Sequence, residues 1–536
     1  MILINKPEFD ELPSIYADKL GLQYTKKVSI DHKKSLGQYF TPIEVAKLMS
    51  QYCVVNQETI NILDPGCGVG ILSCTLVEYI CEKNPKIKEI QIKAFETDLD
   101  VLPYTEKSFA YLGEWLHKKG ILLTQFICVN DFIMHNAPVL ENISSSEELF
   151  DIVICNPPYF KIAKNSPINI AAKSIIYGQT NIYSIFLILS VKLLKEHGQL
   201  IFITPRSFSS GSYFRLFRQI LFSLVEFKNI HLFDSRRDAF GRDNVLQENI
   251  IASCLKFTKT KEQLSFPFTE KKMVSISVSN GISDIDERKE KKYEISELIN
   301  FSSDQQILHI PTSPKDDRAI KLFKSWTNTL KDFNIQISTG KVVAYRSLSW
   351  IRDFPEGTYV PLIWLNNVDK MKFSWPVKNF PKGKEKPQYI IAEKETGSIL
   401  IKNLDYIFLR RFSSKEDQSK LIATPYFAKD LVDYKFLGVE NHLNYIYSVK
   451  GKFDKYELLG LSALLNSKLF DVYFRTFNGN INVSATELRE IPLPEIKIIK
   501  KIGKLIASDN FAQRLIDEIV QEIFNIDLKE LQLWIN

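Results

Sequence analysis

Between residues 60 and 205 five segments, INILDP (60–65), EIQIKAFE (89–96), TQFICVND (124–131), FDIVICNPPY (150–159) and GQLIFITP (198–205), each carry a short apolar run that ends in polar or turn-forming residues. Apolar runs of that length, bounded by turn signals, predict buried strands. Ile71–Glu82 and Tyr183–Glu196, which lie between them, have helical spacing. Strand and helix in alternation predict a doubly wound, mostly parallel α/β sheet of the Rossmann-like kind. Such a sheet binds ligands beyond the carboxyl ends of its strands. Asp64, Glu96, Asp131 and Asn156 stand at those ends, so the chemistry is expected there.

Beyond this block the texture changes after about Lys256. KTKEQ (259–263) and SDIDERKEKKYE (283–294) are polar and charged, and predict surface excursions or a linker. From His309 the chain is richer in Trp, Pro, Asn and Lys with short strand-like pieces, and Ile498–Trp534 is again helical in period. Two domains are expected, 1–300 holding the doubly wound sheet and 301–536 a mixed α/β part with a helical carboxyl end. No internal repeat or low-complexity tract interrupts them.

The chain has 536 residues, 45% hydrophobic and 25% charged, the balance of a globular protein. That excludes wholesale disorder, a collagen-like repeat and a disulfide scaffold. The longest apolar run, Ile182–Leu194, is broken by Ser184, Ser190 and Lys192 and falls short of a membrane span. The opening MILINKPEFDEL has acids where a secretion signal needs a basic end and an apolar core, so a cytoplasmic protein is expected. Seven cysteines form no CxxC pair, which leaves zinc-finger and thioredoxin-like chemistry without support, and no metal is expected. A net charge of +6 and a pI near 8.6 permit a polyanionic partner without requiring one.

Four motifs carry the chemistry. Asp64-Pro-Gly-Cys-Gly-Val-Gly follows the first strand, where Gly66, Gly68 and Gly70 permit a tight turn and close approach to a ligand. No GxxxxGK[ST] occurs, which excludes a P-loop nucleotidase. Phe95-Glu96-Thr97-Asp98 ends the second strand with the acid that sheets of this type use to hold ribose hydroxyls. Asn130-Asp131-Phe132 adds a carboxylate and an aromatic face suited to an adenine amino group and ring. The decisive segment is Asn156-Pro157-Pro158-Tyr159, which joins an amide acceptor, a backbone held extended by two prolines, and a flat ring on which a base can stack.

Gly37-Gln-Tyr-Phe-Thr-Pro42, DPGCGVG, FETD, NDF and NPPY, in that order, resemble the gamma-class DNA adenine-N6 methyltransferases of restriction–modification systems, the TaqI type. The likeness is close from about residue 35 to 257, through NIYSIF, ITPRSF and VLQENIIASCLKF, and looser beyond. LLGLSALLNSKLFDVYFRTFNGNINVSATELREIPLP is similar to the carboxyl end of the target-recognition domains of that group. One departure is Asp64-Pro-Gly where the group also uses a Glu-Pro-Ala form. Both are acidic.

The resemblance implies an S-adenosylmethionine-dependent enzyme that methylates the N6 amino group of an adenine flipped out of double-stranded DNA. It implies that Thr41 and its neighbours contact the methionine part of the cofactor, with Asp64, Gly66 and Gly68 beneath it. Glu96 would hold the ribose, Asp131 the adenine N6, and Phe132 the adenine ring, with Asn156 also against the cofactor. Asn156 and the Pro157 carbonyl would bind the target amine, Pro158 would stiffen the turn, and Tyr159 would stack on the base. Phe214 would supply a second aromatic against that base, with Tyr213 and Phe217 as rivals.

A cytosine-C5 enzyme needs a nucleophilic cysteine, usually in a Pro-Cys pair, and none occurs; Cys155 is expected to pack behind the sheet. The short stretch before Gly37 is expected to leave no room for a nuclease, which implies a separate cognate endonuclease chain, or none at all for an orphan enzyme.

In the carboxyl half, lysines 370, 372, 378, 382, 384 and 386 alternate with Phe373, Trp375 and Phe380, a pattern for phosphate contacts or for a solvated loop. Arg346, Arg352, Arg410 and Arg411 are candidates for reading guanine edges, and Asn478, Asn480 and Asn482 for a loop near the DNA. Ser484-Ala-Thr-Glu487 reads as a helix capping box. Two rivals remain at this level: an amino-methyltransferase acting on RNA or on a protein glutamine, and a DNA-binding specificity subunit with a vestigial methylase site.

Overall fold

The computed structural model of the chain describes residues 4–140, 149–176, 181–234, 248–257, 271–355, 357–377, 385–413, 418–508 and 513–528. It divides into two compact units, the first reaching to Thr312 and the second beginning at Ser313. Among the described residues no helix is long and apolar enough to cross a membrane.

The first unit is built on a nine-stranded sheet: β1 (Thr59–Asp64), β2 (Glu89–Phe95), β3 (Leu122–Cys128), β4 (Phe150–Cys155), β5 (Leu194–Pro205), β6 (Val225–Phe233), β7 (Asn249–Lys256), β8 (Met273–Ser279) and β9 (Lys289–Glu294). The strands lie in the order β3-β2-β1-β4-β5-β7-β6-β8-β9. The first five run parallel, β7 is antiparallel to β5 and β6, and β9 is antiparallel to β8. The doubly wound, mostly parallel sheet expected from the alternating pattern is borne out. Alternate residues of β1 and β4 serve opposite faces. Ile62, Ile152 and Ile154 pack with α1 (Pro13–Thr25), α3 (Ile43–Gln51), α4 (Ile71–Lys83) and α5 (Leu102–His117). Leu63, Val153 and Cys155 pack with the helices Ile182–Leu193 and Arg215–Leu224. A further short helix, α2 (Ile30–Leu36), precedes the GQYFTP loop.

Chain order reverses between β1 and β4, where the strands after β1 run outward to β3 and the chain then returns to β4 on its other side. A crevice opens at such a switch point, and here Asn156, just after β4, lines it, while Asp64 closes β1 and is wholly buried. Cys155 is fully buried and burial pushes its thiol up well above the usual range.

Two local expectations are corrected. Lys289–Glu294, part of the stretch read as excursion or linker, is the edge strand β9, with Tyr293 buried and Glu290–Lys292 exposed. Charged side chains are how sheets protect an edge from further pairing, so the composition masked a strand. The helix expected to run to Glu196 stops at Leu193, because Leu194 is fully buried and already pairs with Phe150 as the start of β5. KTKEQ lies outside the described residues.

The second unit contains an antiparallel four-stranded sheet, Ile335–Thr339, Leu443–Ser448, Tyr406–Arg410 and Ala423–Tyr426 in spatial order, and a five-stranded mixed sheet. Helices Lys455–Asn466, Lys468–Arg475, Ile496–Ser508 and Gln513–Phe524 complete it. Ser484 and Glu487 form the capping box read from the sequence, the Glu487 carboxylate accepting the Ser484 N–H at 3.1 Å.

Candidate active site

Each strand of the switch region delivers one polar group as its apolar run ends. Asp64 closes β1 and is wholly buried; Oδ2 accepts the Ser73 hydroxyl at 2.7 Å. Burial pushes its carboxyl up to about 7, against the opposing pull of Ser73 and of the Gly66 backbone N–H. Oδ1 has no hydrogen-bond partner. Glu96, at the end of β2, accepts the Gly68 N–H at 3.0 Å on one oxygen and the Asp98 N–H at 2.7 Å on the other. Burial also pushes Glu96 up to about 7, with those backbone donors pulling it down. The Thr97 backbone N–H also bonds this carboxylate, and of the roughly four lone pairs of its two oxygens the remainder faces the cavity.

Asp131 caps the short helix Phe132–His135, its Oδ1 accepting the Met134 N–H at 2.8 Å. Phe132 packs with Phe95 and Phe186 at ring separations of 5.2 and 5.1 Å.

The GQYFTP loop crosses over the NPPY turn. A Cβ on Gly37 would lie 2.9 Å from the Phe160 ring and 3.2 Å from the Tyr159 nitrogen, and the residue has φ +60°. Only glycine meets both conditions without strain. The loop is tied down from below by Asp98, whose Oδ2 accepts from the Tyr24 hydroxyl at 2.5 Å and from Gln38 Nε2 at 3.3 Å. His32 Nε2 stands 3.2 Å from the same oxygen. These bonds place Tyr39 and Thr41 against Asn156. Asn156 Nδ2 donates to the Tyr39 carbonyl at 3.1 Å and to the Thr41 hydroxyl oxygen at 3.0 Å. The Tyr159 hydroxyl donates to Asn156 Oδ1 at 2.5 Å and lies 3.0 Å from the Ile203 carbonyl. Burial raises the Tyr159 hydroxyl well above its ordinary range, so it remains a donor.

One cavity gathers much of this set. Thr41, Gly66, Gly68, Glu96, Asp131, Phe132, Asn156 and Pro158 all line it, together with Tyr39, Phe40, Phe160, Ile182 and Phe186, which had no individual role in the motif reading. Asp64, Pro157, Tyr159 and Phe214 are not on its wall. Tyr159 faces Tyr39, with ring centroids 6.1 Å apart and planes at 23°. Phe214 stacks on Tyr183 at 5.4 Å and 17°; of its rivals, Phe217 is a core residue and Tyr213 is exposed.

In the second unit several side chains read as DNA contacts are engaged within the protein. Phe373 and Trp375 pack on the hydrophobic cluster, because their neighbours Phe408, Tyr426, Tyr389 and Tyr434 come from other strands and turns. Lys370 donates to Ser419 Oγ at 2.5 Å, and burial holds its ammonium below the usual lysine range. Lys386 lies over the Trp364 ring at 4.8 Å, and Lys372 is exposed. Arg410 Nε donates to the Val368 carbonyl and Arg352 to the Ser349 and Ile351 carbonyls. Arg346 is exposed beside Tyr345. Asn478 is buried and gives its Nδ2 to Glu487 and to the Asn482 carbonyl, which makes it a brace for the loop. Lys378, Phe380, Lys382 and Lys384 lie outside the described residues.

Comparison with known proteins settles the family. Residues 70–240 match the family described as Eco57I restriction-modification methylase. The type II methyltransferase M.BsuBI of Bacillus subtilis is 32% identical over 507 residues, covering 92% of this chain and 95% of that protein. The chain belongs to the DNA methyltransferases of type II restriction–modification systems. M.PstI of Providencia stuartii is 30% identical over 502 residues, covering 91% of this chain and 93% of that methyltransferase. Among solved structures, the type IIL restriction–modification enzyme MmeI in complex with DNA overlaps 95% of this chain and 74% of its own, at 10% identity and a TM-score of 0.48. The resemblance to restriction–modification methyltransferases drawn from the order of GQYFTP, DPGCGVG, FETD, NDF and NPPY is borne out by the family match and the two type II methyltransferases.

Proposed function

We propose that this methyltransferase uses S-adenosylmethionine to methylate the N6 amino group of an adenine turned out of duplex DNA, as the modification partner of a separately encoded endonuclease. The observation that carries this reading is the fixed amide of Asn156. Both Nδ2 hydrogens are taken, by the Tyr39 carbonyl and the Thr41 hydroxyl, so the amide cannot turn over, and Oδ1, which accepts the Tyr159 hydroxyl on one lone pair, keeps the other to accept from an incoming amine. An exocyclic amine is a poor nucleophile because its lone pair spreads into the ring. Accepting its N–H bonds at Asn156 Oδ1 and the Pro157 carbonyl draws the nitrogen toward sp3 and localises that pair. An amide takes no proton, so these groups hold and orient the amine, and the proton is shed after transfer. The rate then rests on positioning and on acceptors placed before the reaction begins.

The cavity residues fit the cofactor. Glu96 lines the cavity beside the glycine turn as an acceptor for ribose hydroxyls, Asp131 and Phe132 suit an amino group and an aromatic ring, and Thr41, while accepting from Asn156, keeps its own hydroxyl hydrogen for a ligand. When bound, the cofactor supplies an electrophilic methyl group on a sulfonium. Tyr159 would receive the base on its ring in place of Tyr39, which offsets part of the cost of unstacking. Sequence readout falls to the second unit. Transfer of labelled methyl groups into duplex DNA, with RNA and protein as competing acceptors, tests the assignment; label entering only RNA or protein contradicts it.

Glu96 gives the cofactor step a pH signature. With its carboxyl pushed up to about 7, the ionised form that accepts two hydroxyls is lost as pH falls through that value. Cofactor affinity should therefore weaken from pH 8 to pH 6. Glu96→Ala should lower affinity at pH 8 by about 1.5–3 kcal/mol, measured by calorimetry. Burial raises Asp64 into the same window, so Glu96→Gln isolates the share of Glu96: the part of the slope lost in that variant is its own. Unchanged affinity in Glu96→Ala places the ribose elsewhere.

A further inference from the structure

We infer that one edge of the second unit, formed by residues 340–342, 411–413, 440–443 and 481–483, contacts duplex DNA and that His442 meets a base edge there. The inference rests on reading the chain as a duplex-DNA methyltransferase whose sequence readout lies in the second unit.

The four segments are far apart in sequence and laced together by backbone hydrogen bonds. Gly340 N–H donates to the Leu443 carbonyl at 2.8 Å, Asn441 to Val342 at 2.9 Å, Arg411 to His442 at 2.9 Å, and Val483 to Arg411 at 2.7 Å. On this frame Lys341, His442 and Ile481 are exposed and Arg411 and Phe412 half-buried. The one carboxylate in these segments, Glu440, is 1% exposed and is wholly committed to His442. Its Oε1 lies 2.5 Å from the ring Nδ1 and its Oε2 accepts the His442 backbone N–H at 2.9 Å. The acid is thus withdrawn from the surface, where it would repel a phosphate, and used to lock an imidazole that is itself half exposed. With Nδ1 committed, Nε2 is the ring's remaining polar atom.

The neighbours of that ring fit the same partner. Phe412 packs against His442 at 4.9 Å, and the Arg411 guanidinium lies 5.8 Å from the Phe412 ring while giving one N–H to the Asn441 carbonyl at 3.0 Å. A cation, an aromatic face and a fixed imidazole therefore stand in a row, with Lys341 on the adjoining segment and no exposed carboxylate among the described residues of these four segments. Phosphate contacts set register and base contacts specify sequence. Lys341 and Arg411 suit the first task. His442, already ordered by a buried acid, suits the second because little freedom remains to be lost on binding. If the pair only braced the turn, nothing on this edge would respond to DNA.

The full chain tests this in two ways. Lys341→Ala and Arg411→Ala should each lower the slope of log affinity against log salt by about one. His442→Ala, made together with Glu440→Gln so that no unpaired acid is left buried, should relax sequence preference at one base pair by about tenfold relative to Glu440→Gln alone, read by methylation of a randomised duplex pool. Photocrosslinking of the unaltered protein to duplexes containing 5-iododeoxyuridine should yield peptides holding Arg411, Phe412 or His442. Crosslinks elsewhere in the second unit, with slopes and preference unchanged, overturn the assignment of this edge and leave the unit's role in readout standing. Crosslinks confined to the first unit overturn both.

Discussion

Asn156→Ala should reduce single-turnover methylation by about 10²–10³-fold, while DNA and cofactor affinity move by less than about threefold. The magnitude is that of removing one prepositioned electrostatic group from a transition state. It falls on the chemical step because Oδ1 matters most as the amine becomes nucleophilic, whereas the ground-state complex has other contacts. Thr41→Val provides a graded companion. It removes the hydroxyl that accepts Asn156 Nδ2 at 3.0 Å but leaves the Tyr39 carbonyl in place. A loss of about five- to tenfold is expected at saturating cofactor, the worth of one neutral hydrogen bond, and Thr41→Ser should restore most of it. Single-turnover rates under saturating cofactor and DNA separate this from the alternative that Thr41 serves only the methionine part of the cofactor, for which affinity alone would fall.

Gly460→Ala should destabilise the second unit by at least about 3 kcal/mol. Helices Lys455–Asn466 and Ile496–Ser508 cross with backbone against backbone at this point. A Cβ on Gly460 would lie 1.9 Å from the Ile499 carbonyl oxygen, and one on Gly503 would lie 1.9 Å from that of Tyr456. Neither obstacle is the flexible end of a side chain, so the helices must separate. The apolar contacts of Leu459, Leu461, Ile499 and Ile502 around the crossing, all buried, would loosen with them. A lowering of the unit's thermal transition by about 6–12 °C is expected for either Gly460→Ala or Gly503→Ala. Gly451→Ala, where nothing stands within 4 Å of the added carbon, controls for a general effect of replacing glycine in this unit, although its φ of +77° adds a small local strain. Melting curves of the three variants measure it, and equal transitions for all of them contradict the packing described.

How much of this could be read from the sequence depends on where the partner of each residue comes from. The central strands and the places of Asp64, Glu96, Asp131 and Asn156 were legible because a buried strand advertises itself as an apolar run and its end as the first polar residue. The hydrogen bonds that orient Asn156 were not legible, since Tyr39 and Thr41 are more than a hundred residues away and meet it only because Gly37 permits the close crossing. Strand β9 was hidden by its charges, which protect an edge and look like a linker. Phe373 and Trp375 misled in the opposite sense: between lysines they suggested a stacking surface, and only the tertiary fold supplies the rings that bury them. Glu440 and His442 are two residues apart, yet nothing local says that the acid is buried and the imidazole half exposed.

In the proposed reaction Asn156 presents its oxygen to the N6 amine of adenine. Nucleoside mass spectrometry of duplex DNA methylated by the purified protein with isotope-labelled S-adenosylmethionine tests this role. The label should appear in N6-methyladenine, and Asn156→Ala should remove it. Label in 5-methylcytosine or N4-methylcytosine, or N6-methyladenine formed at a near-normal rate by Asn156→Ala, would contradict it.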